Sequence, residues 1–217
     1  MIEAVIWDFG GVFTTSPFEA FNRYETQRGL PLDFIRTVNS TNPDTNAWAL
    51  FERSEINAAA FDVMFAQEAE ALGQAVRGAE VLPLLSGDIR PAVVNALMLC
   101  KAQFKVGCIT NNVSAGEGAG MASTAEKARS VSGIMTHFDA VIESSKAGVR
   151  KPDPRIYQMM CAQLDVAPSA CVYLDDLGVN CKPAAALGMK AIKVSSEGQL
   201  LRDLSAIVGL TFEGAAA

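Results

Sequence analysis

The chain has 217 residues, half of them apolar, and 18 basic against 24 acidic side chains give a net charge of −6 and a pI near 4.9. That is enough apolar sequence for one large domain, or one domain carrying an insert, and too much for disorder. The acidic balance excludes a general nucleic-acid or anionic-membrane binder, since both need a basic face. A small anionic molecule stays admissible where a few local cations and backbone amides converge on it.

In chain order, the apolar run 4–8 predicts a buried strand that ends on Asp8, with Phe9-Gly10-Gly11-Val12 following at once. Burial raises the cost of a charge there, and the glycines open the backbone to a ligand or ion. Residues 16–88 hold no convincing strand and are rich in helical spacing. From Ala58 to Leu72, for example, Phe61, Phe65, Ala69 and Leu72 recur at three and four. This stretch reads as a helical insert leaving through Thr14-Thr15-Ser16-Pro17 and returning through Ser86-Gly87-Asp88. It is placed either to cover a site as a lid or simply to extend the core. The remainder alternates. A helix is expected over 90–103, a strand over 105–110, a helix within 114–131 and a strand over 138–143. A helix over 154–164, a strand over 170–174, a helix near 178–187, a strand over 190–194 and a last helix from about 197 complete the pattern.

Short apolar strands alternating with helices predict an α/β fold, a Rossmann-like parallel sheet covered on both faces. The core would be residues 1–15 and 89–217, and residues 16–88 the helical cap. Right-handed crossovers bring the strand C-termini to one edge, where such sheets bind ligands. The five cysteines are odd in number and form no C-x-x-C pair, so they read as core packing in a reducing compartment. Met1 leads almost directly into the first strand, without a basic leader, and no 18-residue apolar stretch is present. A cytoplasmic location is expected; oligomeric state leaves no mark in the sequence. Gly214–Ala217 read as a frayed end.

Four polar points fall at strand ends: Asp8, Thr110-Asn111-Asn112, Lys151-Pro152 and Asp175-Asp176. Each has an ordinary alternative. Asp8 serves equally as a turn or cap residue, Asp175-Asp176 as a helix start, Thr110-Asn111 as a strand-to-helix turn and Lys151 as a solvated lysine. Gathered at one edge, the carboxylates would repel, and a hard divalent cation removes the conflict. Mg²⁺ suits oxygen ligands and keeps several waters, so Asp8, the Gly10 carbonyl and Asp176 would serve, with Asp175 holding a metal-bound water. The ion would attract phosphate. Thr110 and the Asn111 amide could bind its oxygens, Lys151 could offset the charge, and Asp8 could attack phosphorus. Asp153-Pro154 caps a helix just past Lys151. Asn180 reads as a support of the last loop, Lys146 and Arg150 as surface charge, and His137 as structural. Phe18, Phe21 and Trp48 read as packing residues of the insert that could line a substrate pocket.

The stretches 4–12, 109–112, 148–157 and 173–180 with 186–190 resemble, in order, the four motifs of the haloacid dehalogenase (HAD) superfamily. The similarity falls in its helical-cap subgroup, near the phosphatase domains at the N-terminus of soluble epoxide hydrolases. It implies Asp8 as nucleophile, Thr110 as phosphate ligand, Lys151 as the motif lysine, and Asp176 with Asp175 at magnesium. Phosphatases of that superfamily carry an acid/base aspartate two residues after the nucleophile, and here Gly10 stands in its place. Acid–base help is worth roughly 10²–10⁴-fold, so slow turnover of alkyl phosphates is expected. The expected activity is phosphohydrolysis of a small phosphorylated metabolite. The alternatives are a 2-haloacid dehalogenase, which likewise lacks that aspartate, and a silent binder of a phosphorylated ligand.

Overall fold

The computed structural model describes residues 1–113 and 124–212. The expected helix within 114–131 falls partly outside them, and so does the expected frayed end. Five parallel strands, β1 (Ala4–Trp7), β2 (Lys105–Thr110), β3 (Ala140–Glu143), β4 (Cys171–Asp175) and β5 (Lys190–Lys193), form one sheet in the order β3-β2-β1-β4-β5. This is the Rossmann-like α/β arrangement. The chain winds outward from β1 to β3, then returns to the other side of β1. The topological switch therefore lies beside β1, where such sheets open a crevice at the strand C-termini.

Alternation along β1 divides the core. Val5 and Trp7 face one side, packed on α6 (Pro91–Lys101), α7 (Ala125–Met135) and α11 (Glu197–Val208). Ala4 and Ile6 face the other, packed on α9 (Pro154–Leu164) and α10 (Gly178–Ala186). All four residues of β1 are fully buried, as a central strand covered on both faces requires. Gly107 lets α9 ride directly on β2, because a Cβ there would stand 2.5 Å from the Met160 sulfur. Overpacking of that kind costs about 1–3 kcal/mol. The helix α7 runs to Met135, beyond the expected stretch.

Residues 16–88 contain α1 (Pro17–Arg28), α2 (Phe34–Ser40), α3 (Ala47–Glu52), α4 (Ala58–Ala71) and α5 (Gly78–Val81), then a 3₁₀ turn over Leu82–Leu85. They surround an apolar cluster that includes Phe21, Phe51, Phe61, Phe65 and Ala69 and takes in Val113 from beyond β2. Side-chain caps from Ser16, Asn46 and Asn57 start α1, α3 and α4. Leu72 departs from the expected buried stripe: it is the C-cap of α4 and 41% exposed, because the helix stops one residue short of it. At the neck, Thr14 and Ile89 pair as an isolated antiparallel bridge. A short helix α8 (Ser144–Ala147), which no spacing announced, follows β3 directly. Among the described residues no helix is long and apolar enough to cross a membrane.

Candidate active site

Strand register does the gathering. Trp7 lies level with Cys108 on one neighbour and with Leu174 on the other. One residue further along, Asp8 therefore stands beside Asp175, and its N–H donates to Leu174 O at 2.8 Å. Thr110 ends β2 on the opposite flank and is 2% exposed. One oxygen from each of Asp8, Asp175 and Asp176 lies within 4.8 Å of the others.

Lys151 arrives on the loop before α9, whose start is fixed by Asp153 accepting from Arg155 N and by Pro154 in the first turn. Its side chain is 1% exposed, and the ammonium lies among acceptors. It sits 2.8 Å from Asp8 Oδ1, 2.8 Å from Asp175 Oδ2 and 3.0 Å from Ile109 O. Burial alone would lower its pKa, but Asp175 and Asp8 outweigh that, and the ammonium is held charged. Asp8 Oδ1 also accepts from Phe9 N at 2.6 Å. Burial, helped by Asp175 and Asp176, pushes the Asp8 carboxyl well above its usual value against the pull of Lys151. Asp176, raised to about 7 by burial and by Asp175, follows the same logic. Three carboxylates share one ammonium, so a proton or a cation must join them.

Asp175, expected to hold a metal-bound water, is met by several protein donors. Lys151 and the Tyr173 hydroxyl, at 2.6 Å, meet its Oδ2. Leu177 N–H meets Oδ1 at 2.8 Å, and the Asn180 amide reaches both oxygens. It is an anchor for Lys151 and for the β4 loop. Asn180 supports it as expected, itself braced by the Tyr157 hydroxyl on its carbonyl. Tyr173 was legible in principle: the period of two puts it on the same strand face as Asp175.

Asn111 is also engaged elsewhere. Its Oδ1 accepts from Lys151 N at 2.8 Å, and its Nδ2 donates to Lys151 O at 2.9 Å and to Glu52 at 3.4 Å. The amide clamps the lysine loop, and to reach a phosphate it would have to release that loop. Asn112 ties the β2 end to Glu143, Ser144 and Ser145. Arg150 is no surface charge. Its side chain is 18% exposed and lies 2.5 Å from Glu52 Oε2, a charge contact whose Nε–H is not aligned as a hydrogen bond. Lys146 is exposed and pairs with Glu143. Phe21 packs inside the insert, whereas Phe18 is partly buried beneath the Arg36 guanidinium.

The turn after Asp8 is fixed from several sides. Gly11 has φ +71°, and a Cβ on it would collide with the Asp176 carboxylate, so only glycine lets the two loops approach this closely. Its N–H donates to Thr14 Oγ1 at 3.2 Å, and its carbonyl accepts from Arg90 Nη1 at 2.8 Å. Arg90 is a cation near Asp176 that no motif announced. A Cβ on Gly10, by contrast, would meet nothing within 4 Å.

The metal-free protein should therefore lose stability as pH rises. Folded Asp176 keeps its proton up to about pH 7, whereas the unfolded chain releases it near 3.8. The folded state binds the extra proton, so this contribution is intact below 3.8 and is lost as pH climbs through 7. Melting in EDTA from pH 5 to 8 should show Tm falling, with a flatter fall in Asp176→Asn. Equal slopes for the two proteins would contradict the assignment.

Comparison with known proteins agrees in kind. Residues 2–188 match the model of a family described as haloacid dehalogenase-like hydrolase. A Mycobacterium tuberculosis protein, Phosphatase MT3486, is 31% identical, with 99% of this chain and 98% of that protein covered. Bifunctional epoxide hydrolase 2 of Sus scrofa is 36% identical over 55% of this chain, and the match takes up 21% of its own length. Among solved structures, a HAD family enzyme of Bacteroides thetaiotaomicron, in complex with magnesium and inorganic phosphate, shares the fold at a TM-score of 0.59. It is 17% identical, with 91% of this chain and 96% of that one covered.

Proposed function

The chain belongs to the haloacid dehalogenase-like hydrolase family, and on that premise we propose that it is a magnesium-dependent phosphohydrolase acting on a small phosphorylated metabolite through Asp8. One observation carries this reading: three carboxylates converge at the sheet edge around a single buried ammonium. Fully ionised, these three carboxylates outnumber the ammonium, and the donors are the hard oxygens magnesium prefers. Asp8, the Gly10 carbonyl and Asp176 would hold the ion, and Asp175 would anchor Lys151 beside it. When bound, magnesium offsets the carboxylate charge and favours a phosphate monoester at this edge.

The chain's own residues supply the rest. Asp8 Oδ1 is held by Phe9 N–H and Lys151, which leaves Oδ2 as the oxygen assigned to attack. That oxygen forms the bond to phosphorus as the bond to the leaving oxygen breaks, giving an aspartyl-phosphate. Water then hydrolyses it and restores Asp8. Thr110 and Lys151 steady the phosphoryl oxygens. No side chain at position 10 protonates the leaving group, so the reading favours substrates whose leaving group needs little help, such as acyl or aryl phosphates.

The dehalogenase alternative uses the same nucleophile on carbon and needs no cation, and the retained Asp175-Asp176 pair disfavours it. A direct test is p-nitrophenyl phosphate hydrolysis with Mg²⁺ and after EDTA, beside chloride release from 2-chloropropionate. The expected result is ester hydrolysis that EDTA abolishes and Mg²⁺ restores, with no chloride release. EDTA-insensitive chloride release would establish the alternative, and binding of phosphate without turnover would make the chain a silent binder.

A further inference from the structure

The helical insert reaches the site through a side chain that no sequence pattern marked. Glu52 closes α3 and its side chain is 8% exposed, and burial pushes its carboxyl upward against the pull of Arg150. A buried carboxylate needs partners, and Glu52 has three. Trp48 Nε1 donates to Oε1 at 3.0 Å. Oε2 faces the Arg150 guanidinium and, at 3.4 Å, the Asn111 amide.

Two of these partners lead to Lys151. Arg150 precedes it in the chain and also donates to Pro43 O in the insert at 2.9 Å. Asn111 holds its backbone N–H and carbonyl at once. An Asn amide can sit either way round, and only one way offers Oδ1 to the Lys151 N–H. A carboxylate beside the Nδ2 end selects that orientation, because it accepts from NH₂ and would repel the oxygen.

We propose that Glu52 is a positioning residue: from the insert, it fixes the Asn111 amide and the Arg150 segment. In this way it sets where the Lys151 ammonium stands against Asp8. The reactive lysine is then fully ordered only while the insert is seated on the core. The kinetic part of this inference rests on the phosphohydrolase reading above; the structural part does not.

The test uses Glu52→Ala, Glu52→Gln, Asn111→Ala and the double variant Glu52→Ala/Asn111→Ala. Amide hydrogen exchange is followed at Lys151 in each, and kcat and KM are measured on p-nitrophenyl phosphate. Glu52→Ala should speed exchange at the Lys151 amide about 10-fold while β1 and β4 stay protected. It should lower kcat roughly 10- to 100-fold with KM changed less than about 3-fold, the signature of a misplaced group. Glu52→Gln, which keeps one oxygen for Asn111, should recover most of both. The double variant should be no worse than Asn111→Ala, because both act through one clamp. Exchange that rises uniformly across the sheet, or losses that add in the double variant, would overturn the proposal and leave Glu52 a general packing residue. If wild type is no faster than Asp8→Asn, the phosphohydrolase reading fails by itself. Exchange at Lys151 then still decides: no change in Glu52→Ala sinks the positioning role.

Discussion

Asp8→Asn is expected to cut phosphate-ester turnover by at least about 10⁴-fold, the scale of losing a nucleophile, without unfolding the chain. The side chain keeps its size, and an Asn oxygen can still accept from Phe9 N–H. Stability should hold or rise in metal-free buffer. Asp8 is one of three carboxylates sharing the Lys151 ammonium, and Asp175 remains to pair with that ammonium after the change. Removing one of three like charges relieves repulsion that burial magnifies. Steady-state rates on p-nitrophenyl phosphate, with Tm measured in EDTA, check both halves. Turnover within 10-fold of wild type would place the nucleophile elsewhere.

Gly10→Asp is expected to change activity in the other direction, and unequally. A carboxyl two residues after Asp8 supplies the proton that the leaving group lacks, a gain of about 10²-fold or more on an alkyl phosphate. An aryl phosphate, whose leaving group departs as a stable anion, should gain far less. The structure can take the substitution: nothing lies within 4 Å of a Cβ at Gly10, and its φ lies outside the left-handed range. The neighbouring Gly11 has neither freedom, since its Cβ would meet the Asp176 carboxylate. An equal gain on p-nitrophenyl phosphate and on an alkyl phosphate would contradict the missing-acid explanation.

The sheet was legible because its strands are short apolar runs punctuated by polar ends. The expected span of β2, 105–110, coincides with the strand observed, and Asp8, Thr110 and Asp175 meet at one edge because parallel register requires it. What the sequence left unread is the partner choice of polar side chains. Asn111 looked like a phosphate ligand from its place after Thr110. Its amide is matched to the Lys151 backbone across 40 residues of chain, a pairing no local spacing reveals. The donors that gather on Asp175 beside Tyr173, namely Asn180, Leu177 and Lys151, were equally unreadable from local spacing. Arg150 looked like surface charge because its partner, Glu52, lies in the insert almost a hundred residues earlier. Helical periodicity marked residues 16–88 as helical but carries no record of which face meets the sheet. The exposed Leu72 shows the same limit at a helix end, where packing stops before the pattern does.

The convergence of carboxylates on one ion is tested most directly by a crystal structure with Mg²⁺ and a phosphoryl mimic such as beryllium trifluoride. The expected density has the mimic joined to Asp8. Magnesium should lie about 2.1 Å from oxygens of Asp8, Gly10 and Asp176, with Thr110 and Lys151 on the mimic. Magnesium or mimic bound away from Asp8 and Asp176 would contradict it.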